Sequence, residues 1–275
     1  MLRHLCLAIA VLLSIAGGKL APALADDATD QAELAKKTLN PIANLISLPI
    51  QFNYDRGIGA TDDGKKYVVN IQPVIPISIG PDWNVISRTI LPLIDQNDIL
   101  PGGAADETGI GDITQSLFFS PKNPTSAGWI WGAGPVILLP TASDELLGSE
   151  KWGIGPTAVA LKQEHGFTYG MLANHIWSVA GDSDRSDINA TFLQPFFSYT
   201  TKTFTSFTIN TESIYNWQDD EWSVPVNLLV SQLLKIGSQP ISIQAGPRYW
   251  AESPDNGPED WGFRFALTFL FPKSD

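Results

Sequence analysis

The chain has 275 residues, of which 17 are basic and 29 acidic, giving a formal net charge of −12, and it contains one cysteine. So acidic a balance argues against nucleic acid as a partner, because phosphate recognition rests on Lys and Arg. One cysteine forms no internal disulfide, and a mean hydropathy near zero excludes a protein built mainly of membrane-spanning helices.

At the N-terminus, Arg3 and His4 precede the apolar run from Leu5 to Ala16, and Ala23-Leu24-Ala25 supplies small residues before Asp26. This pattern predicts a signal peptide over residues 1–25. The apolar run is shorter than the roughly 20 residues that a spanning helix needs. Cys6 lies inside the leader, so the mature chain has no thiol chemistry. Losing Arg3 and Lys19 takes the formal charge from −12 to −14. In residues 26–44, Ala28, Ala32, Ala35 and Leu39 fall at helical spacing before Pro41. The weak apolar stripe predicts a short, loosely ordered periplasmic helix, with entry into a barrel as a hatch the alternative.

From residue 45 onward apolar and polar residues alternate in segments near the 9 to 11 residues of a tilted transmembrane strand. The first runs from Ile46 to Tyr54, with Ile46, Leu48, Ile50, Phe52 and Tyr54 on one face and Ser47, Pro49, Gln51 and Asn53 on the other. Ten more follow: Tyr67 to Ser78, Asn84 to Ile94, Asp112 to Ser120, Trp129 to Pro140, Trp152 to Lys162, Phe167 to Val179, Asn189 to Thr200, Phe207 to Trp217, Trp222 to Leu234, and Ile241 to Trp250. The last, Gly262 to Phe271, sets Phe263, Phe265, Leu267, Phe269 and Phe271 opposite Arg264, Ala266 and Thr268. The total of twelve is even, as single-chain outer-membrane barrels require. Pro73, Pro76, Pro92, Pro135, Pro156, Pro195, Pro225 and Pro247 fall inside these segments and, since each removes a ladder donor, predict either bulges or strand boundaries that shift the count by two.

A soluble sandwich or lipocalin-like barrel also alternates, so face composition decides. The apolar faces carry only Lys162 and His175 as ionisable groups, whereas the opposite faces are small and polar, as a wet lumen requires. Tryptophans gather at strand ends, where a bilayer interface favours indole. Trp152, Trp177, Trp217, Trp222, Trp250 and Trp261 form one rim, and Trp83, Trp129 and Trp131 the other. Connections alternate between long acidic loops (55–66, 95–111, 141–151, 180–187, 218–221 and 251–260) and short turns (79–83, 121–128, 163–166, 201–206 and 235–239). The expected fold is therefore an all-β transmembrane antiparallel barrel of about twelve strands over residues 45–275, in the outer membrane and surrounded by its lipids. Gly262, Phe265, Leu267 and Phe271 resemble the terminal-strand signal read by the bacterial barrel-assembly machinery, although Pro272 to Asp275 trail beyond it.

The stretches "LNPIANLISLPIQFNYD", "NIQPVIPISIGPDWNVISRTILPLI", "GIGDITQSLFFSPK", "WIWGAGPVILLPTA", "NHIWSVAG" and "QAGPRYWAESP" resemble a family of bacterial outer-membrane transporters associated with a phenol-degradation pathway, some of whose members are labelled neuromedin U. The resemblance covers nearly all of the mature chain and implies a membrane barrel with a transport role.

The residues expected to line a pore are Arg88, Asn174, Asn210, Glu212, Gln244, Arg248 and Arg264, with Asp112 near the outer mouth. Mixed charge in a confined lumen selects polar solutes. Phe118, Leu172, Phe192 and Ile214 are also expected inside, which narrows the path, and barrels of modest strand number can be filled by side chains. The expected function is passive passage of small-molecule solutes, aromatic or hydrophobic ones among them. A lipid-modifying barrel enzyme and a non-conducting structural barrel are the alternatives.

For an enzyme, His175 is the leading candidate. Ala173 and Trp177 occupy the same-face positions where a serine would be needed, and Ser178 projects from the other face, so an interfacial histidine is favoured. His165 falls in a turn. No metal-binding cluster, cofactor motif or nucleophile elbow is present. The acidic loop residues Asp62, Asp63, Asp182, Asp184, Asp219, Asp220 and Glu221 lack ordered calcium-ligand spacing and predict a solvated rim.

Overall fold

A computed structural model describes residues 25–99 and 106–272, so the predicted leader and its cysteine lie outside the described residues, Ala25 excepted. The chain forms a closed antiparallel barrel of twelve strands preceded by a helix, α1 (Ala25–Thr38). The strands are β1 (Ile46–Ile58), β2 (Gly64–Ile71 continuing as Val74–Ser78), β3 (Trp83–Asn97), β4 (Glu107–Ile110 continuing as Ile113–Pro121), β5 (Trp129–Leu139) and β6 (Lys151–Glu164). They continue as β7 (Phe167–Gly181), β8 (Asn189–Thr200), β9 (Thr205–Thr211 continuing as Ser213–Asn216), β10 (Glu221–Ile236), β11 (Gln239–Glu252) and β12 (Trp261–Phe271). Each strand pairs with its neighbour in sequence. Closure comes from β1 against β12, in register from Ile46 opposite Phe271 to Tyr54 opposite Phe263. Closure leaves no free sheet edge.

The expected alternation places each face correctly. Outward positions carry the exposed apolar side chains, among them Phe197, Phe207, Leu228, Val230 and Phe263. At one end, Trp83 packs edge-on against Trp131 and Trp129 against Tyr169; at the other, Tyr215 meets Trp217 and Trp222, and Tyr249 meets Trp261. Two aromatic girdles thus flank an apolar band. Trp250 departs from the expected rim. Its indole turns inward and donates to the Asp55 carboxylate at 2.8 Å.

The two ends differ as the sequence predicts. The turn end has tight connections, including the two-residue turn His165-Gly166, where positive φ at both positions gives the geometry that suits strand twist. The loop end carries the longer connections. Its first loop is shorter than expected, because β1 and β2 run on to Ile58 and from Gly64.

Three strands are interrupted, and prolines collect there. Pro73 lies in the break in β2 and accepts through its carbonyl from the Thr89 backbone N–H; the Pro92 carbonyl receives the Gly111 N–H at the break in β4; the Pro225 carbonyl faces the Glu212 N–H at the break in β9. Pro135 and Pro156 share one rung between β5 and β6. Interruptions of this kind re-aim side chains.

In α1, Ala35 is buried, and past the helix Ile42, Ala43 and Leu45 are buried too. The segment is therefore docked and not loosely ordered. Ala35, Ala43 and Leu45 pack with Leu233 and Leu270, while Ile42 reaches a larger apolar cluster inside the barrel. The Gln163 amide also donates to the Lys36 carbonyl at 2.9 Å. The expectation of a loose helix fails because its apolar positions were counted only to Leu39. Ile42 and Leu45, beyond Pro41, make the decisive contacts.

Close backbone approach fixes glycine at Gly155 in β6, where a Cβ would fall on the carbonyl oxygen of His175. Gly155→Val is expected to destabilise the barrel by about 1–3 kcal/mol, the usual cost of overpacking. A lowered urea midpoint, followed by tryptophan fluorescence in liposomes, measures it.

Candidate functional site

Inside the barrel, polarity is divided between two sides. On the side formed by β2 to β8, Val74, Ile86, Phe118, Val159, Leu161 and Leu172 close around Ile42, with Ile130, Phe192 and Phe196 against them. Phe118, Leu172 and Phe192 lie inside as expected, and Ile214 shares a rung and a face with Phe192. The expectation of a uniformly small and polar inner face does not hold for this side.

The other side, from β8 through β12 to β1, is a hydrogen-bonded charge network. Arg264 is almost completely buried and grips Glu212 with both terminal nitrogens, Nη1 to Oε1 at 2.8 Å and Nη2 to Oε2 at 2.6 Å. This fork is the strongest geometry available to an arginine and a carboxylate. Arg264 Nε donates to Asn53 Oδ1 at 2.7 Å. Arg248 donates from Nε to Asp55 Oδ1 at 3.0 Å and from Nη1 to Glu212 Oε2 at 3.4 Å, and its guanidinium lies 4.8 Å from the centre of the Trp250 ring. Asn227, fully buried, accepts from Arg248 and donates to Asn210 Oδ1 at 2.8 Å. The amide of Gln194 reaches Glu212 at 3.4 Å.

The sequence-predicted residues Asn210, Glu212, Arg248 and Arg264 thus meet in one network. Sequence reasoning missed Asn53, Asp55, Gln194 and Asn227 as its members. For Asp55 the signal was present, since it continues the inward alternation of Gln51 and Asn53 by one step.

Arg88 and Gln244 line a cavity of about 210 Å³ that lies between this network and the N-terminal segment. Arg88 donates from Nη2 to Gln72 Oε1 at 2.9 Å. Asn174 lies on the inward face beside Leu172, on the rung that joins Thr157. It belongs to neither the network nor the cavity lining.

Asp112, expected to line the pore near the outer mouth, is engaged by a loop. Its carboxylate accepts from the backbone N–H of Ala142 at 3.2 Å and from the N–H and hydroxyl of Ser149 at 2.7 and 2.6 Å. The loop over residues 140–150 is thereby pinned to the break in β4. Gln96 Nε2 donates to the Leu146 carbonyl and Arg185 to the carbonyls of Glu145 and Gly148, holding the same loop.

On the outer face, His175 lies against Trp177, with ring centroids 4.1 Å apart. Its Nδ1 and the hydroxyl of Thr191 are 2.7 Å apart, and Trp217 Nε1 donates to the same hydroxyl at 2.8 Å. Among the described residues no side chain partners its Nε2, and the group that meets Nδ1 is a threonine hydroxyl, not a carboxylate. No group of three or more metal-ligating side chains gathers among the described residues.

Two outcomes follow. Glu212→Gln leaves two buried arginines without their shared counter-charge and is expected to lower stability by about 3–5 kcal/mol, as for other broken buried pairs; reversible urea unfolding reads this. Asp112→Ala is expected to leave the barrel folded and to make loop 140–150 the preferred site of cleavage in limited proteolysis.

No protein-family model matches the sequence, and no curated protein sequence matches it. Among solved structures the chain is similar to the beta domain of the Bordetella autotransporter BrkA, at 10% identity over 83% of this chain and all of that one, with a TM-score of 0.46. It is also similar to an outer membrane channel from Pseudomonas putida F1, at 16% identity over 83% of this chain and 96% of that one, with a TM-score of 0.65. That likeness shows that the two proteins share a fold, the twelve-stranded closed barrel described above.

Proposed function

We propose that this chain is an outer-membrane channel or transporter for small, partly apolar molecules, with a lumen held closed by its own N-terminal segment. The observation that carries the reading is the docking of Ile42. This buried side chain fills the apolar side of the lumen from a segment outside the barrel wall, so the block is separable from the wall.

An apolar exterior bounded by two aromatic girdles suits a bilayer, and short turns with longer opposite loops suit a periplasmic and an external side. On this reading α1 sits at the periplasmic mouth. Outward Phe265, Leu267 and Phe271, with Gly262 at the start of β12, are the positions that assembly machinery would read. The resemblance to transporters associated with phenol degradation extends the solute class to aromatic molecules. A passive pathway also fits the pairing of Arg248 and Arg264, because a solute passes those two without being trapped by a bare ion.

The test is single-channel conductance in planar bilayers of the mature chain and of Ile42→Asp. Burial of an isoleucine contributes about 1.5–3 kcal/mol. Its loss, with the added cost of burying a carboxylate, is expected to raise the open fraction at least about tenfold. Silence of both proteins, each correctly inserted, would point to a structural barrel.

A further inference from the structure

We propose that the cavity beneath the charge network is a binding site for a small monocarboxylate with an apolar body, with Arg88 holding the carboxylate. This deepens the reading of the lumen as a solute path and rests on it.

The inward-facing arginines divide into two kinds. Arg248 and Arg264 have carboxylates within 3.4 Å, and all three nitrogens of Arg264 donate, to Glu212 and Asn53. Arg88 has none. Among the described residues no carboxylate lies within ion-pairing distance of it: Glu212 acts on it only through space and is already shared by Arg264 and Arg248, and the one side-chain hydrogen bond of Arg88 goes to the neutral amide oxygen of Gln72. An arginine stays protonated at any ordinary pH and carries five N–H donors, so most of the donor capacity of Arg88 is unused. A half-enclosed cation of this kind is costly to leave without a counter-charge.

The surrounding cavity supplies the rest of an anion site. Asn210 uses its amide oxygen on Asn227, which leaves its NH₂ free to donate, and the hydroxyls of Ser198 and Thr208, 2.7 Å apart, line the same space. Between these groups the lining is apolar, with Val74 on the same rung as Arg88, Phe196 on the same rung as Asn210, and Leu270 completing it. Polar donors and hydrocarbon thus wall one small space together, which is the mixed lining of small-molecule sites generally.

Size sets the ligand. A cavity of about 210 Å³ exceeds the roughly 150 Å³ apolar cavity that accommodates benzene. It admits a body of six or seven carbons with one carboxylate, and its single unpaired cation matches one negative charge. A dicarboxylate would leave its second charge against Val74 and Phe196.

Equilibrium dialysis of the refolded, full mature chain in detergent is the test, with long incubation so that the docked segment can exchange. The probes are labelled hexanoate, its neutral isostere hexanamide, and acetate, which lacks the apolar body. Hexanoate is expected to bind saturably and at least tenfold more tightly than either analogue. Arg88→Gln is expected to weaken hexanoate at least tenfold while leaving hexanamide unchanged, with Arg88→Lys between the two. Thr208→Phe, which narrows the cavity and keeps Arg88, is a second variant expected to lose hexanoate.

Absence of saturable hexanoate binding by the folded wild type would overturn the proposal, as would equal binding of hexanoate and hexanamide, or an Arg88→Gln barrel that binds hexanoate unchanged. Hexanoate binding by a chain that stays silent in bilayers even with Ile42→Asp would retain the site and remove the conducting pathway. Conductance without hexanoate binding would do the reverse.

Discussion

Glu212 is one carboxylate shared by two buried arginines, and it constrains the lumen more than any other group. A charge removed from water must be matched at close range or its desolvation cost is not recovered. Arg264 on β12, Arg248 on β11 and Glu212 at the break in β9 meet that condition only when the strands between them are in register. Asn53 and Asp55 extend the same requirement to β1, across the seam where first and last strands join. The interruption of β9 belongs to this arrangement, since it sets Glu212 between the two halves of that strand.

The division of the interior follows from where those charges lie. The side built from β8 to β12 and β1 is satisfied by ion pairs and amides, whereas the side from β2 to β8 buries hydrocarbon around Ile42. An apolar wall within an otherwise wet lumen gains by being covered, and the N-terminal segment covers it. The cavity lies between the two sides, walled by both chemistries. A barrel lined uniformly with small polar residues would offer an N-terminal segment nothing to hold.

Much of this was legible in the sequence. The two-residue period separated lipid-facing from inward-facing positions, and because β1 pairs with β12 in plain register the predicted faces of both strands hold without adjustment. Arg248, Arg264, Glu212 and Asn210 were recognisable as inward polar groups by parity alone. Partnership was not recognisable, because it depends on distances between strands remote in sequence, such as the 211 positions from Asn53 to Arg264. Asp55 was read as loop because an acidic residue after Tyr54 looks like a strand end. Trp250 was read as girdle because indoles at strand ends usually are, yet here parity outweighs position. Asp112 was read as pore lining because nothing local shows that Ser149 folds back onto it.

The docking surface of the N-terminal segment has a consequence for biogenesis. Ala35, Ala43 and Leu45 rest on Leu233 of β10 and Leu270 of β12, while Ile42 rests on side chains from strands β2 to β8. A segment that precedes every strand described therefore binds a surface that β12 completes. Until β12 joins β1 that surface is unfinished, so the segment has no full berth in a half-assembled chain. Full docking therefore requires β12 in place and the seam shut.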